Sequence, residues 1–185
     1  MIQKIIEKET GLINMAQSDT PEVPLAARKK VVVDVADMKV LCGVNAVLMT
    51  LALGSCIGLA VHDAETRTGG MIHFMLPLSS KGPEKAQVNP YMYGDTGIPL
   101  LFRKMYEAGA RKENMRVVMA GGASVLRGIS SDIGSQNITI TRKLLWKNQV
   151  IIAAEDVGGT LPRTLYLDVE YGKTWFTNNG NKFEL

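Results

Sequence analysis

The chain has 185 residues, 46% hydrophobic and 21% charged, with a formal net charge of +3. These proportions allow a buried core and exclude wholesale disorder, and the small net charge, with Arg28-Lys29-Lys30 as the densest basic run, argues against a nucleic-acid-binding surface. Apolar runs end at about ten residues, too short to span a bilayer. The N-terminal stretch carries acids and lacks a signal-peptide core, so a cytoplasmic location and no direct membrane insertion are expected. The two cysteines, Cys42 and Cys56, make no disulfide framework and are free thiols in a reducing compartment.

Met1 to Gln17 places Ile2, Ile5, Ile6, Leu12 and Ile13 at rough helical spacing, broken by Gly11. The segment reads either as an N-terminal helix or as a partly disordered tail. Pro21 and Pro24 then end the pattern. Residues 1–29 are therefore expected to form a helical extension and linker, and residues 30–185 a single domain. Strands are expected over Val31–Val35 and Val47–Leu53, and over Cys56–His62 and Gly70–Leu76 as a hairpin joined by the polar stretch Asp63–Gly69. After a loop from Pro77 to Gly94, Ile98, Leu101, Phe102 and Met105 give a helix one apolar face; Pro99 suits its first turn and Gly109 its C-terminal stop. Arg116–Ala120 reads as a strand closed by Gly121-Gly122, Asp132–Asn148 as a helix and Val150–Ala154 as a buried strand. A last hairpin pairs Leu165–Val169 with Thr174–Thr177. Strands outnumber helices and the two types mix along the chain, which predicts an α+β (mixed α/β) fold.

The chemistry is concentrated between Leu53 and Pro77, which hold Cys56, His62 and His73. If the hairpin turns between Ala64 and Glu65, Cys56 and His73 are directly opposed, with Cβ atoms about 4.5–5.5 Å apart. A histidine cation at that distance holds a cysteine as the attacking thiolate. Taken alone, Cys56 would read as a small buried side chain. Gly54-Ser55 before it and Gly58 after it imply a sharply turned backbone whose amides, around Ser55 and Cys56, could receive an oxyanion. His62, beside Asp63, reads as an exposed turn-edge residue, and Cys42 as a buried small hydrophobe. The order Cys42, Cys56, His62, His73 lacks the close paired spacing of a zinc site, so no metal is expected, and no cofactor motif is visible.

The series "MTLALGSCIGLAVHD", "GGMIHFMLP", "AGGASVL", "IGSQN" and "AEDVGGTLPRTLYLDVEYGK" resembles the CheD family of chemoreceptor glutamine deamidases, from about Val31 to Phe176. The resemblance implies a cysteine nucleophile at Cys56, a histidine at His73 and a third catalytic residue at Thr50, whose hydroxyl orients the imidazole; without it Thr50 would read as a strand threonine. It implies hydrolysis of receptor glutamines to glutamates through a thioester, chemoreceptors as substrates, and a CheC-like phosphatase as a partner. It also implies a mixed-sheet sandwich with outer helices, related to deamidating bacterial toxins. Two positions depart from the family pattern: Ala52 replaces a usual glycine and Gln136 a usual arginine. A non-catalytic adaptor that keeps the fold and docks a phosphatase or a receptor is the alternative.

Overall fold

The computed structural model describes residues 24–124 and 132–185, so the expected N-terminal helix lies outside the described residues. Its centre is the antiparallel pair β4 (Ile57–Asp63) and β5 (Thr68–Phe74), in which every residue is buried. Both faces of the pair are covered, which is why the sequence runs apolar without polar alternation. Leu59, Val61, Ile72 and Phe74 face α2 (Gly94–Glu107) and α3 (Ile133–Lys147), while Ala60 and Met71 face a second sheet. Truncating a ring such as Phe74 would cost about 3–5 kcal/mol.

The first sheet has the order β2-β5-β4-β6-β7, adding β2 (Asp37–Cys42), β6 (Met115–Gly121) and β7 (Ile152–Val157). The second runs β1-β3-β8-β9-β10, built from β1 (Lys29–Val32), β3 (Ala46–Leu53), β8 (Arg163–Asp168), β9 (Thr174–Asn178) and β10 (Asn181–Glu184). Both sheets are mixed, since β1–β3 and β6–β7 are parallel and the other pairs antiparallel. Leu48, Leu53, Ala60, Met71, Val118, Leu165 and Leu167 form the core between the sheets. The α+β expectation therefore holds, as two packed mixed sheets with helices on one outer face. Among the described residues no helix is long and apolar enough to cross a membrane.

Several expectations are corrected. β2 and β10 were not anticipated: β2 is an edge strand whose residues are mostly half-buried and β10 is exposed throughout, so neither has a clean alternation to read. β7, expected to be buried, is also an edge strand, with a half-exposed pattern and Ile151 beside it 83% exposed. Pro99 lies inside α2 rather than in its first turn. Gly109 does follow the end of that helix, with φ +92° as a left-handed stop requires. The connection Pro77–Gly94 contains a short helix, α1 (Pro83–Val88).

The central hairpin is displaced as well. Asp63 pairs with Thr68 and Gly58 with His73, which centres the turn between Glu65 and Thr66. The Asp63 carboxylate accepts from the Glu65 and Thr66 amides at 2.9 and 3.0 Å, and Arg67 takes φ +50°. This local side-chain cap closes the loop over residues 64–67 and sets the register.

Candidate active site

The turn at residues 54–56 links β3 to β4 across the two sheets. Pairing of β3 with β8 shifts register between Thr50 and Leu53, and Ala52 takes φ +54° at this irregularity. The turn is fastened to the end of β6: Gly122 N–H donates to the Cys56 carbonyl at 2.8 Å and Ala123 N–H to the Gly54 carbonyl at 2.7 Å. Gly121, at φ +115°, has to lack a side chain because a Cβ there would strike the Cys56 carbonyl oxygen. The Gly121-Gly122 pair is thus both a strand-end turn and a close approach to the cysteine. Neither the Ser55 nor the Cys56 amide donates to a backbone carbonyl among the described residues.

His73 projects from β5 into the space between the sheets and is 1% exposed. Its Nδ1 is hydrogen-bonded to Thr50 Oγ1 of β3 at 2.7 Å. Gly58, directly opposite, makes this possible: a Cβ on it would lie 2.8 Å from Leu53 Cδ1 and 3.1 Å from Thr50 Cγ2. The other ring nitrogen, Nε2, is buried and has no hydrogen-bond partner among the described residues. Cys56 precedes β4 by one residue and is half-buried against the inter-sheet core. The observed register makes Cys56 a diagonal neighbour of His73 rather than its direct opposite, because moving the turn centre by one residue shifts each partner by two. A shift of two preserves the face, and Cys56, one residue beyond the last pair of the ladder, packs against the core between the sheets where His73 meets Thr50.

Electrostatics also departs from the expected thiolate–imidazolium pair. Burial pushes the Cys56 thiol up, only partly offset by its own backbone amide. Burial takes the His73 imidazole down to about 4, against a smaller upward pull from the Asp34 carboxylate. Desolvation disfavours the charged form of each. Near neutral pH the resting pair is therefore a thiol and a neutral imidazole.

Two other sequence readings are corrected. His62 is 4% exposed, with Nε2 bonded to the Val169 carbonyl at 2.9 Å and its ring closing over Gly172, because the second sheet covers that end of β4. Cys42 is exposed at the end of edge strand β2, its Sγ 3.4 Å from the Thr66 carbonyl. Among the described residues no group of three or more His, Cys, Asp or Glu side chains could hold a metal. Gln136 Nε2 donates to the Asp132 carboxylate at 3.2 Å on the exposed first turn of α3.

Two neighbours of the site escaped the sequence reading. Asn137, on α3 and fully buried, donates through Nδ2 to the Ser55 carbonyl at 2.9 Å and the Met75 carbonyl at 2.8 Å. Arg163, paired with Leu53 in the sheet, bonds Asp156 at 2.6 Å and the Gly158 and Leu161 carbonyls at 2.5 and 2.9 Å. It thereby fixes the loop whose Gly159 carbonyl accepts from Ser124 N–H. "IGSQN" gave Asn137 its place in a motif, but its reach across α3 to two strand ends depends on tertiary packing.

Residues 75–178 match the family described as CheD chemotactic sensory transduction, a span that begins two residues beyond His73 and includes Asn137. A protein of Syntrophus aciditrophicus (strain SB) named "Probable chemoreceptor glutamine deamidase CheD 1" is 44% identical over 151 residues, covering 81% of this chain and 94% of that protein. One from Solibacter usitatus (strain Ellin6076), "Probable chemoreceptor glutamine deamidase CheD", is 42% identical over 158 residues, 85% of this chain and 94% of its own. The "Probable chemoreceptor glutamine deamidase CheD 2" of Anaeromyxobacter dehalogenans (strain 2CP-C) is 44% identical over 144 residues, 77% of this chain and 91% of its own. Identity at this level, running through nine-tenths or more of each relative, means that the chain belongs to the CheD family.

Proposed function

We propose that the protein hydrolyses the side-chain carboxamide of specific chemoreceptor glutamines to glutamate, with Cys56 as nucleophile, His73 as general base and acid, and Thr50 orienting His73. The observation that carries the reading is the buried His73, bonded at Nδ1 to Thr50, without a partner at Nε2 among the described residues, and set between the sheets against whose core Cys56 packs. With Nδ1–H donating to Thr50 Oγ1, the Nε2 lone pair is the proton acceptor. Because the resting pair is neutral, the S–H proton passes to Nε2 as sulfur attacks the carboxamide carbon. The Ser55 and Cys56 amides are the donors available to the oxyanion. Collapse breaks the C–N bond while His73 returns its proton to the departing nitrogen, releasing ammonia and leaving a thioester. His73 then takes a proton from water as hydroxide adds to the thioester carbon; collapse breaks the C–S bond, and His73 returns the proton to sulfur, regenerating the thiol and leaving glutamate as product.

The same reading includes a cytoplasmic location, a fold shared with deamidating bacterial toxins, a domain over residues 30–185 preceded by an extension, and docking of a CheC-like phosphatase. Incubation with chemoreceptor cytoplasmic fragments, followed by mass spectrometry of glutamine-containing peptides, tests the chemistry. Wild type should convert specific glutamines to glutamates and release equimolar ammonia, and Cys56→Ala should not. Equal inactivity of both proteins, with retained binding of receptor or phosphatase, would favour an adaptor instead.

A further inference from the structure

The β4–β5 ladder ends at the pair Ile57 and Phe74. The next pair in register would be Cys56 with Met75, but the strands part there: Met75 N–H turns away to the Met92 carbonyl at 3.0 Å, while the Cys56 carbonyl accepts from Gly122. This opening leaves the nucleophile turn without ladder bonds to the strand that carries His73. Asn137 bridges it. One primary amide donates both N–H groups across the gap, to the carbonyl immediately before Cys56 and to the carbonyl two residues after His73. Since both neighbours are carbonyls, the nitrogen has to face them, which fixes the orientation of the amide.

The helix that delivers Asn137 is itself held hard against the site. A Cβ on Gly134 would be 2.5 Å from the Gly122 carbonyl oxygen, so the first turn of α3 packs backbone to backbone against the residue that bonds Cys56. Thr141 Oγ1 donates to the Asn137 carbonyl at 2.8 Å. Meanwhile Asn137 Oδ1 is buried with no partner among the described residues. A residue that only filled this space would bury no unpaired acceptor, and a leucine could do so; what leucine cannot do is donate twice.

We propose that Asn137 is a positioning residue that sets the separation of Cys56 from His73 by tying together the two strand ends where the ladder opens. The proposal rests on the Cys56–His73 reading above. Asn137 acts through the turn and through β5, not on substrate.

The test uses the full chain in a Cys42→Ser background, which leaves Cys56 as its one thiol. Alkylation of Cys56 by iodoacetamide is followed by intact mass from neutral to alkaline pH, alongside thermal unfolding and kcat and KM on receptor fragments. Asn137→Ala and Asn137→Asp, the latter close to isosteric, should unfold cooperatively yet lose about 100-fold in kcat, as a displacement near 1 Å can. KM should change less than about threefold, because the interaction is not with substrate. Their alkylation profiles should converge on that of His73→Ala. Wild-type alkylation profiles in both variants, or activity lost only in proportion to unfolded protein, would overturn the proposal. If Asn137→Ala does not fold, Asn137→Asp decides; if neither folds, the tie is purely structural and the proposal fails. An unchanged profile in His73→Ala itself would instead bring down the Cys56–His73 reading.

Discussion

Thr50→Val removes one hydroxyl from a fully buried side chain and preserves its branched shape, so no cavity opens. What is lost is the 2.7 Å bond to His73 Nδ1. Both ring nitrogens of an imidazole that is 1% exposed are then unpartnered among the described residues. An orphaned buried polar group costs about 1–3 kcal/mol. For a chain of this length each kcal/mol moves the midpoint by roughly 2–4 °C, so melting should fall by roughly 2–12 °C. The larger effect should be kinetic. Without an acceptor at Nδ1 the tautomer that leaves Nε2 basic is no longer selected, and the ring can turn about its side-chain bonds. General acid–base catalysis is worth about 10²–10⁴-fold, and a neutral hydroxyl that only orients the base should account for the lower end, a loss of about 100-fold in kcat with little change in KM. Single-turnover conversion of a receptor fragment, read as glutamate by mass spectrometry, measures it; Thr50→Ser, which keeps the oxygen, should recover most of the rate. A folded Thr50→Val with kcat within about threefold of wild type would refute both the tautomer argument and the role given to Thr50.

Ala52→Gly should raise stability by about 0.5–1 kcal/mol in thermal or denaturant melts, because the φ +54° of Ala52 strains an L residue by more than glycine loses in chain entropy; no gain would mean that the turn is not strained. Gly58→Ala should destabilise by about 1–3 kcal/mol and lower kcat, since its methyl would meet Leu53 and Thr50 at 2.8 and 3.1 Å; measurement of both in one variant tests whether Gly58 is needed for the Thr50–His73 bond. His73 has a folded pKa near 4 against an ordinary 6.5, so the unfolded chain binds the extra proton between those values. Stability should therefore be complete above pH 6.5 and decline toward pH 4, by on the order of 3 kcal/mol relative to His73→Gln in parallel denaturant melts across pH. At neutral pH iodoacetamide should label exposed Cys42 about tenfold or more faster than half-buried Cys56, whose thiol is pushed up; peptide mapping of a partial reaction reads the ratio.

The sequence made the inner strands legible because burial on both faces leaves little but apolar residues. β3, β4, β5, β6, β8 and β9 all begin or end within a few residues of where their patterns place them. Edge strands were less legible: β2, with its alternating Asp37, Lys39 and half-exposed neighbours, has no single buried face to betray it. A turn between Ala64 and Glu65 would oppose Cys56 to His73, whereas the Asp63 side chain centres the turn one residue later. The displacement alters the distance along the strand and not the face, since two positions restore the pleat. The ionisation of the pair was not legible at all. Residue types suggest that a cysteine and a histidine form an ion pair, whereas their charge states depend on how much of the two sheets lies over them.

Left-handed residues Ala36, Arg67, Gln149 and Asn179 lie in turns elsewhere, but several costly features meet at the junction of β3 and β4, and that combination is an argument about function. Ala52 is in a left-handed conformation between Thr50 and the turn that holds Cys56, and Gly121 has no side chain to meet the Cys56 carbonyl. The two buried side-chain atoms without partners among the described residues, His73 Nε2 and Asn137 Oδ1, flank the same parted ladder. Each feature costs stability when taken alone, and a fold selected only for packing would scatter or remove them. A buried acceptor without a partner among the described residues is useful when a proton reaches it during a reaction. In the proposed mechanism Nε2 takes that proton from the Cys56 thiol and passes it to the nitrogen of the carboxamide. A resting pair held neutral by burial is in keeping with the proposed order of events, in which charge develops only when substrate has replaced solvent around the sulfur and the amides of Ser55 and Cys56 receive an oxyanion.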